Sequence, residues 1–210
     1  MPNYKVLKDH YEKCLKNHGP GAKGMDWPNQ EDLDKRFKVL SDIIEYNHNV
    51  SNKIDIIDLG CGVGLYIDYL AKQNKIEHIN YRGIDISNIM VETAYKLHPD
   101  YKFEVKDILL DGLEENCTDY IIMNGLFTEK REMGHDEMFD FFSKMIDKVY
   151  KACRKGISFN VMSSHVDWKR DDLFHLELDK LVAFINKNYT RNIVIRMDYG
   201  LYEYTVYVKK

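Results

Sequence analysis

Residues 54–64 read Ile54-Asp55-Ile56-Ile57-Asp58-Leu59-Gly60-Cys61-Gly62-Val63-Gly64. A short apolar run with several isoleucines ends in glycines at alternate positions. Such a run suits a parallel strand buried on both faces. The sequence GLYIDYLAKQ that follows reads as a helix. Strand, tight turn and helix in this order mark the place where open α/β sheets bind ligands, beyond the carboxyl ends of their strands. Glycines let a ligand lie against the backbone and let the turn adopt positive φ. An isolated Gly-x-Gly is more often a turn with no ligand. Here the strand–turn–helix context and a second acid downstream favour a ligand site.

Downstream, strand and helix patterns alternate. YRGIDI predicts a second strand near 80–86, and Ser87 caps a helix bearing Met90, Ala94 and Leu97. YKFEVKDI predicts a third strand at 101–108, and TDYIIMNG a fourth at 118–125. Met138, Phe141, Phe142, Met145, Ile146 and Val149 form the apolar face of a helix. KGISFNVM predicts a fifth strand at 155–162, and Leu178, Leu181, Val182 and Ile185 another helix. RNIVIRMD and EYTVYVKK read as an antiparallel hairpin.

Upstream, Tyr4, Leu7, Tyr11 and Cys14 give a helix over 4–16. Residues 18–29, HGPGAKGMDWPN, form a loop. Asn29 then caps a helix over 30–46 with Leu33, Phe37, Leu40 and Ile44 inward. The expected fold is α/β: a doubly wound, Rossmann-like, seven-stranded sheet, mostly parallel, with a C-terminal antiparallel hairpin. One domain spans residues 1–210, with a helical lid at 1–46 and the core at 53–210.

The chain has 210 residues, 44% apolar and 30% charged, the composition of a soluble globular domain. A net charge of −4 gives no whole-molecule attraction to nucleic acid or to an anionic membrane. Cys14, Cys61, Cys117 and Cys153 are dispersed and form no Cys-x-x-Cys pair, so neither a disulfide framework nor a zinc site is expected. The N-terminus lacks the apolar stretch of a signal peptide, and no apolar run is long enough to span a bilayer. A cytoplasmic location and a small-molecule partner follow as expectations.

The second acid is Asp85, 25 residues after Gly60 and followed by Ile86. An acid at the end of the second strand can accept hydrogen bonds from both hydroxyls of a ribose. Asp107 and Ile108 after the third strand can hold an adenine amino group and cover its face. A dinucleotide fingerprint would place its third glycine at position 65, which is Leu65. Asp58 would repel a pyrophosphate. A cationic ligand with no phosphate fits better, which favours S-adenosylmethionine over NAD.

DLGCGVG, Asp85, the Lys106-Asp107-Ile108 segment and a strand ending at Asn124 resemble the class I S-adenosylmethionine-dependent methyltransferases, over roughly residues 30–208. The resemblance implies that Asp58, Gly60, Cys61 and Gly62 stand beside the methionine part of the cofactor. It implies that Asp85 and Ile86 meet the ribose, that Asp107 and Ile108 frame adenine, and that Asn124 and Gly125 border the transferring methyl. The 18–29 loop and DYGLYEYTVYV further resemble small-molecule methyltransferases of bacterial surface-polysaccharide (capsule) gene clusters. One class of these acts on an O-methyl phosphoramidate decoration. Asn124-Gly125-Leu126-Phe127 is not the Asn-Pro-Pro-Tyr motif of amine N-methyltransferases. With Asn124 and Asn160 in place of acids, a catechol-type magnesium site is not expected.

Several residues outside these motifs are candidates. His165, after the fifth strand, is the candidate base; an ordinary loop histidine is the equal alternative. Arg36 can pair with the carboxylate of the cofactor's methionine as a planar fork; otherwise it is a surface arginine. Tyr11, His18, Trp27 and Tyr199 are candidates for the acceptor pocket, each with packing or solvation as its simpler explanation. Lys23, Lys169 and Arg170 can attract an anionic acceptor, although each alone suits a solvated surface. Three alternatives stay open: an RNA methyltransferase, a non-catalytic cofactor-binding subunit and an NAD oxidoreductase.

Overall fold

The computed structural model describes residues 4–46 and 53–210. Helix α1 spans Lys5–His18, and a short 3-10 turn at Ala22–Met25 leads to α2 at Gln30–Ser41. The alternating core follows: β1 (Ile54–Leu59), α3 (Leu65–Lys72), β2 (Ile79–Asp85), α4 (Asn88–Leu97) and β3 (Lys102–Val105). Next come α5 (Ile108–Asp111), β4 (Thr118–Phe127), α6 (His135–Ala152), β5 (Cys153–Ser163) and β6 (His175–Leu176). The chain ends with α7 (Leu178–Asn188), β7 (Ile193–Arg196) and β8 (Glu203–Lys209).

The strands form one sheet in the order β3-β2-β1-β4-β5-β8-β7, with β6 beside the end of β5. All neighbours are parallel except β8, which is antiparallel to both β5 and β7. The doubly wound, mostly parallel α/β fold therefore stands as expected. The eighth strand is the two-residue β6, too short for a periodic pattern to reveal. The hairpin slots β8 between β5 and β7, so the antiparallel strand lies one place in from the edge.

Strand alternation separates two cores. Ile57, Leu59, Ile121 and Met123 pack on one face with Phe142, Ile146, Leu181 and Ile185 of α6 and α7. Ile56, Tyr120 and Ile122 pack on the other with Leu33, Phe37, Leu40, Tyr66 and Leu70 of α2 and α3. Both faces are thus covered, as all-parallel strands require.

Several expected element ends move. Asn29 caps α2 as read, its side chain accepting from the Asp32 N–H at 2.8 Å. The helix ends at Ser41 rather than residue 46, and Ile44 is buried in the turn beyond it. Because α2 packs on β4, β5 and β8, it belongs to the body. The roof is formed by α1 and the turn after it. Among the described residues no helix is long and apolar enough to cross a membrane.

Candidate active site

The chain builds β1 to β3 outward in one direction, then returns to lay β4 on the other side of β1. The loops after β1 and β4 diverge from this switch point and leave a crevice at the carboxyl ends. A cavity of about 1170 Å³, including its open mouth, occupies the crevice. Its walls include Asp58, Gly60, Cys61, Gly62, Asp85, Ile86, Asp107, Ile108, Asn124 and Gly125, and its roof includes Tyr4, Tyr11, Met25 and Trp27.

The glycine turn is tied to β2. Gly60 and Cys61 donate backbone N–H groups to the Ile84 carbonyl at 2.8 and 3.1 Å. Gly62 has φ +53°, and its N–H donates to Asp85 Oδ2 at 2.9 Å. A Cβ at Gly62 would lie 2.6 Å from Met25 Sδ, so the methionine would have to shift, while the positive φ itself favours glycine. Ser87 donates its N–H to Asp85 Oδ1 at 2.8 Å. Burial raises the Asp85 carboxyl, and these N–H groups oppose the rise.

Asp58 is buried beneath the turn and accepts the Tyr81 hydroxyl at 2.7 Å. Burial pushes its carboxyl up to about 7, Tyr81 pulls it down, and nearby Asp85 adds to the rise. A cation in the cavity would favour the ionised form. Asp107 caps α5 through the Leu109 N–H at 3.2 Å and also receives the Tyr4 hydroxyl, 2.9 Å from Oδ2. Asn124 Oδ1 is buried with no hydrogen-bond partner. An orphaned acceptor in the wall, buried carboxylates and a glycine-rich turn fit a ligand rich in donors and positive charge.

Helix α1 crosses the cavity and is fastened at three points. Tyr4 bonds Asp107, Glu12 accepts from the Ser87 hydroxyl at 2.6 Å, and the Tyr11 hydroxyl faces the Gly125 carbonyl at 3.4 Å. Gly125 has φ +80°, and Trp27 Cζ2 occupies the space 2.7 Å from where its Cβ would stand. Asn160 Oδ1 accepts the Gly125 N–H at 2.7 Å, fixing the peptide from below.

Four sequence candidates lie elsewhere. Arg36 does not line the cavity. Its guanidinium packs 4.2 Å from the Trp27 ring centroid, and Nε lies 2.9 and 3.1 Å from the oxygens of buried Glu203. The Nε edge of Arg36 is thus paired with a residue 167 positions away, Nη1 is buried without a hydrogen-bond partner, and the guanidinium packs behind Trp27. Tyr199 bonds Thr205 at 3.0 Å behind the same ion pair, away from the cavity lining. His165 is exposed, its N–H accepted by Ser163 Oγ at 3.0 Å, and it contributes nothing to the cavity wall. His18 ends α1, exposed to solvent. Of the suggested cations, Lys23 and Lys169 are exposed and Arg170 bonds Asp172.

Glu129 is a polar wall residue that sequence reasoning missed, as is Lys8. Strand β4 runs to Phe127, two residues past its expected end, and this extension carries Glu129 to the cavity. Its carboxylate accepts Arg131 Nη1 at 2.9 Å. Burial raises its pKa, and Arg131 opposes the rise. Correct placement of the strand end was the one signal available. Tyr4, Phe141 and Met145 also line the cavity, although their spacing marked them only as helix-face residues.

A family model described as a methyltransferase domain matches residues 56–156. Rv1506c of Mycobacterium tuberculosis, which carries a provisional methyltransferase name, is 32% identical over 168 residues, covering 77% of this chain and 96% of that protein. Magnesium protoporphyrin IX methyltransferase from Synechocystis PCC 6803, solved with S-adenosylmethionine, superposes with a TM-score of 0.66 at 13% identity, covering 100% of this chain and 98% of that one. The Burkholderia thailandensis 1,6-didemethyltoxoflavin-N1-methyltransferase, solved with its substrate and S-adenosylhomocysteine, gives 0.67 at 13% identity, covering 100% and 90%.

Proposed function

Because this chain belongs to the class I S-adenosylmethionine-dependent methyltransferases, we propose that its cavity seats that cofactor on the Gly60–Gly62 turn and a small acceptor beside Gly125, Tyr11 and Glu129. The observation that carries this reading is Asp85, whose carboxylate is clamped by the N–H groups of Gly62 and Ser87 at the cavity wall. Each carboxylate oxygen keeps lone pairs for the hydroxyls of a ribose.

Bound S-adenosylmethionine supplies an activated methyl group on a sulfonium. The residues of the chain then bind, align and dry the partners. Ile86 and Ile108 give apolar cover, Asp107 and Asn124 accept hydrogen bonds, and Asp58 balances positive charge. Trp27, held over Gly125 by Arg36, excludes water from the acceptor side. Alignment of this kind can remove roughly 7–11 kcal/mol of barrier in the best cases. Glu129 takes the acceptor's proton at its carboxylate oxygen, a contribution of about 10²–10⁴ in rate. It replaces His165 as the candidate base, because it alone of the two lines the cavity.

We read the acceptor as a hydroxyl compound of bacterial surface-polysaccharide assembly, giving O-methylation. The capsule-type loop at 18–29 supports this reading, since its Met25 and Trp27 roof the cavity. A neutral sugar hydroxyl suits Glu129 better than an anionic phosphoramidate, because the carboxylate in the cavity wall would repel an anion placed against it. Four free cysteines fit a reducing compartment, and we place the reaction in the cytoplasm.

Titration calorimetry with S-adenosylhomocysteine, followed by a turnover screen against nucleotide sugars and free glycans, tests the proposal. One binding site and a methyl ether product are expected. Absence of binding by folded protein would overturn the cofactor site, and methylation of amines alone would overturn the acceptor class.

A further inference from the structure

Beside the cavity, three side chains unused by the methyl-transfer reading converge on one point. His10 and Cys14 stand one helical turn apart on α1, on the same face. Asp26 follows the 3-10 turn in the left-handed region, φ 58°, with its N–H accepted by the Lys23 carbonyl at 3.1 Å. His10 Nε2 lies 2.7 Å from Asp26 Oδ2 and 3.7 Å from Cys14 Sγ. The donor atoms of all three lie within 4.8 Å of one another.

These separations suit a shared metal ion. Ligands about 2.0–2.3 Å from a tetrahedral zinc stand roughly 3.3–3.7 Å apart, so small side-chain shifts complete the geometry. One imidazole, one thiolate and one carboxylate form a donor set that selects zinc over magnesium or calcium. The site is partly sheltered, with the His10 side chain 15% exposed. Glu129 adds negative charge nearby, and the neighbouring cation Arg131 is already paired with Glu129 and Asp172.

We propose that His10, Cys14 and Asp26 bind a zinc ion that clips α1 to the loop carrying Met25 and Trp27, with water in the fourth position. Both pieces of the cavity roof meet at this point: α1 and its N-cap supply Tyr11 and Tyr4, and the loop supplies Met25 and Trp27. The dispersed cysteines hid the site, because a single thiol, with one partner on its own helix and the other in the loop that follows, forms no recognised sequence motif.

The test uses the full chain, stripped of metal under a non-thiol reductant, titrated with Co²⁺ and then Zn²⁺. Wild-type protein should take up one equivalent of Co²⁺ with a thiolate-to-cobalt charge-transfer band, lost when Zn²⁺ displaces it. The band should vanish in Cys14→Ser and persist in Cys117→Ser. In a competition with a chromogenic chelator, His10→Ala and Asp26→Asn should each weaken Zn²⁺ binding about tenfold or more. Asp26 is exposed, so its variant folds whatever His10→Ala does. No band in wild type, a band surviving in Cys14→Ser, or unchanged Zn²⁺ affinity in Asp26→Asn overturns the site. S-adenosylhomocysteine binding by the same metal-free protein reports separately on the cofactor cavity.

Discussion

Arg36 and Glu203 form a buried ion pair that joins α2 to β8, and the same guanidinium holds Trp27 over Gly125. Removing one member of a buried pair leaves the other charge without compensation. Glu203→Ala should therefore destabilise the protein by about 3–5 kcal/mol. The double variant Arg36→Met/Glu203→Leu should lose less than the two single variants summed. Denaturant titration checks both, and strict additivity would show that the two charges are not coupled.

Cofactor affinity should depend on pH through Asp58. Its carboxyl sits at about 7 in the ligand-free protein. A cationic ligand binds the ionised form better, so below that pH binding must displace a proton. Affinity for S-adenosylmethionine should fall by up to about tenfold per pH unit from near 7 towards 5, and Asp58→Asn should flatten the profile. In the ligand-free protein the sign for stability is opposite. The unfolded chain ionises first, so this group costs stability as pH rises from about 4 to 7. Calorimetry across that range gives the affinity profile, and a flat wild-type curve would remove Asp58 from the cofactor site.

Asp85→Asn should weaken S-adenosylhomocysteine binding by roughly 10–150-fold, the equivalent of one charge-assisted contact of about 1.5–3 kcal/mol. Circular dichroism should show the fold retained. A twofold effect or less would mean that the Gly62–Asp85 contact shapes the turn without gripping the ribose.

Gly125→Ala forces a side chain into a left-handed residue, and its Cβ would strike the Trp27 ring. The backbone strain alone is worth about 1–2 kcal/mol. Displacement of the indole should change Trp27 fluorescence and lower turnover. Normal emission with normal turnover would show that the roof tolerates the displacement.

Glu129→Gln should lower kcat by about 10²–10⁴ while leaving S-adenosylhomocysteine affinity within about twofold. The acidic limb of the kcat pH profile should disappear with the carboxylate. A rise in KM alone, with kcat unchanged, would make Glu129 an acceptor anchor instead of a base.

Local pattern alone determined the sheet alternation, the glycine turn after β1 and the placement of Asp85 and Asp107 at or just after successive strand ends, with Asn124 near the end of β4. These features repeat every two or four residues, or depend on a turn only a few residues long, so neighbours in sequence carry them. Tertiary structure decided what side chains do when their partners are remote. Arg36 was legible as a fork for a carboxylate, yet the carboxylate it meets is Glu203 on the last strand, because burial of one charge demands the nearest opposite charge. His165 stood at the right strand and turned to solvent, whereas Glu129 reached the cavity through a strand extension that periodicity did not mark. The convergence of His10, Cys14 and Asp26 likewise exists only once the loop folds back along α1.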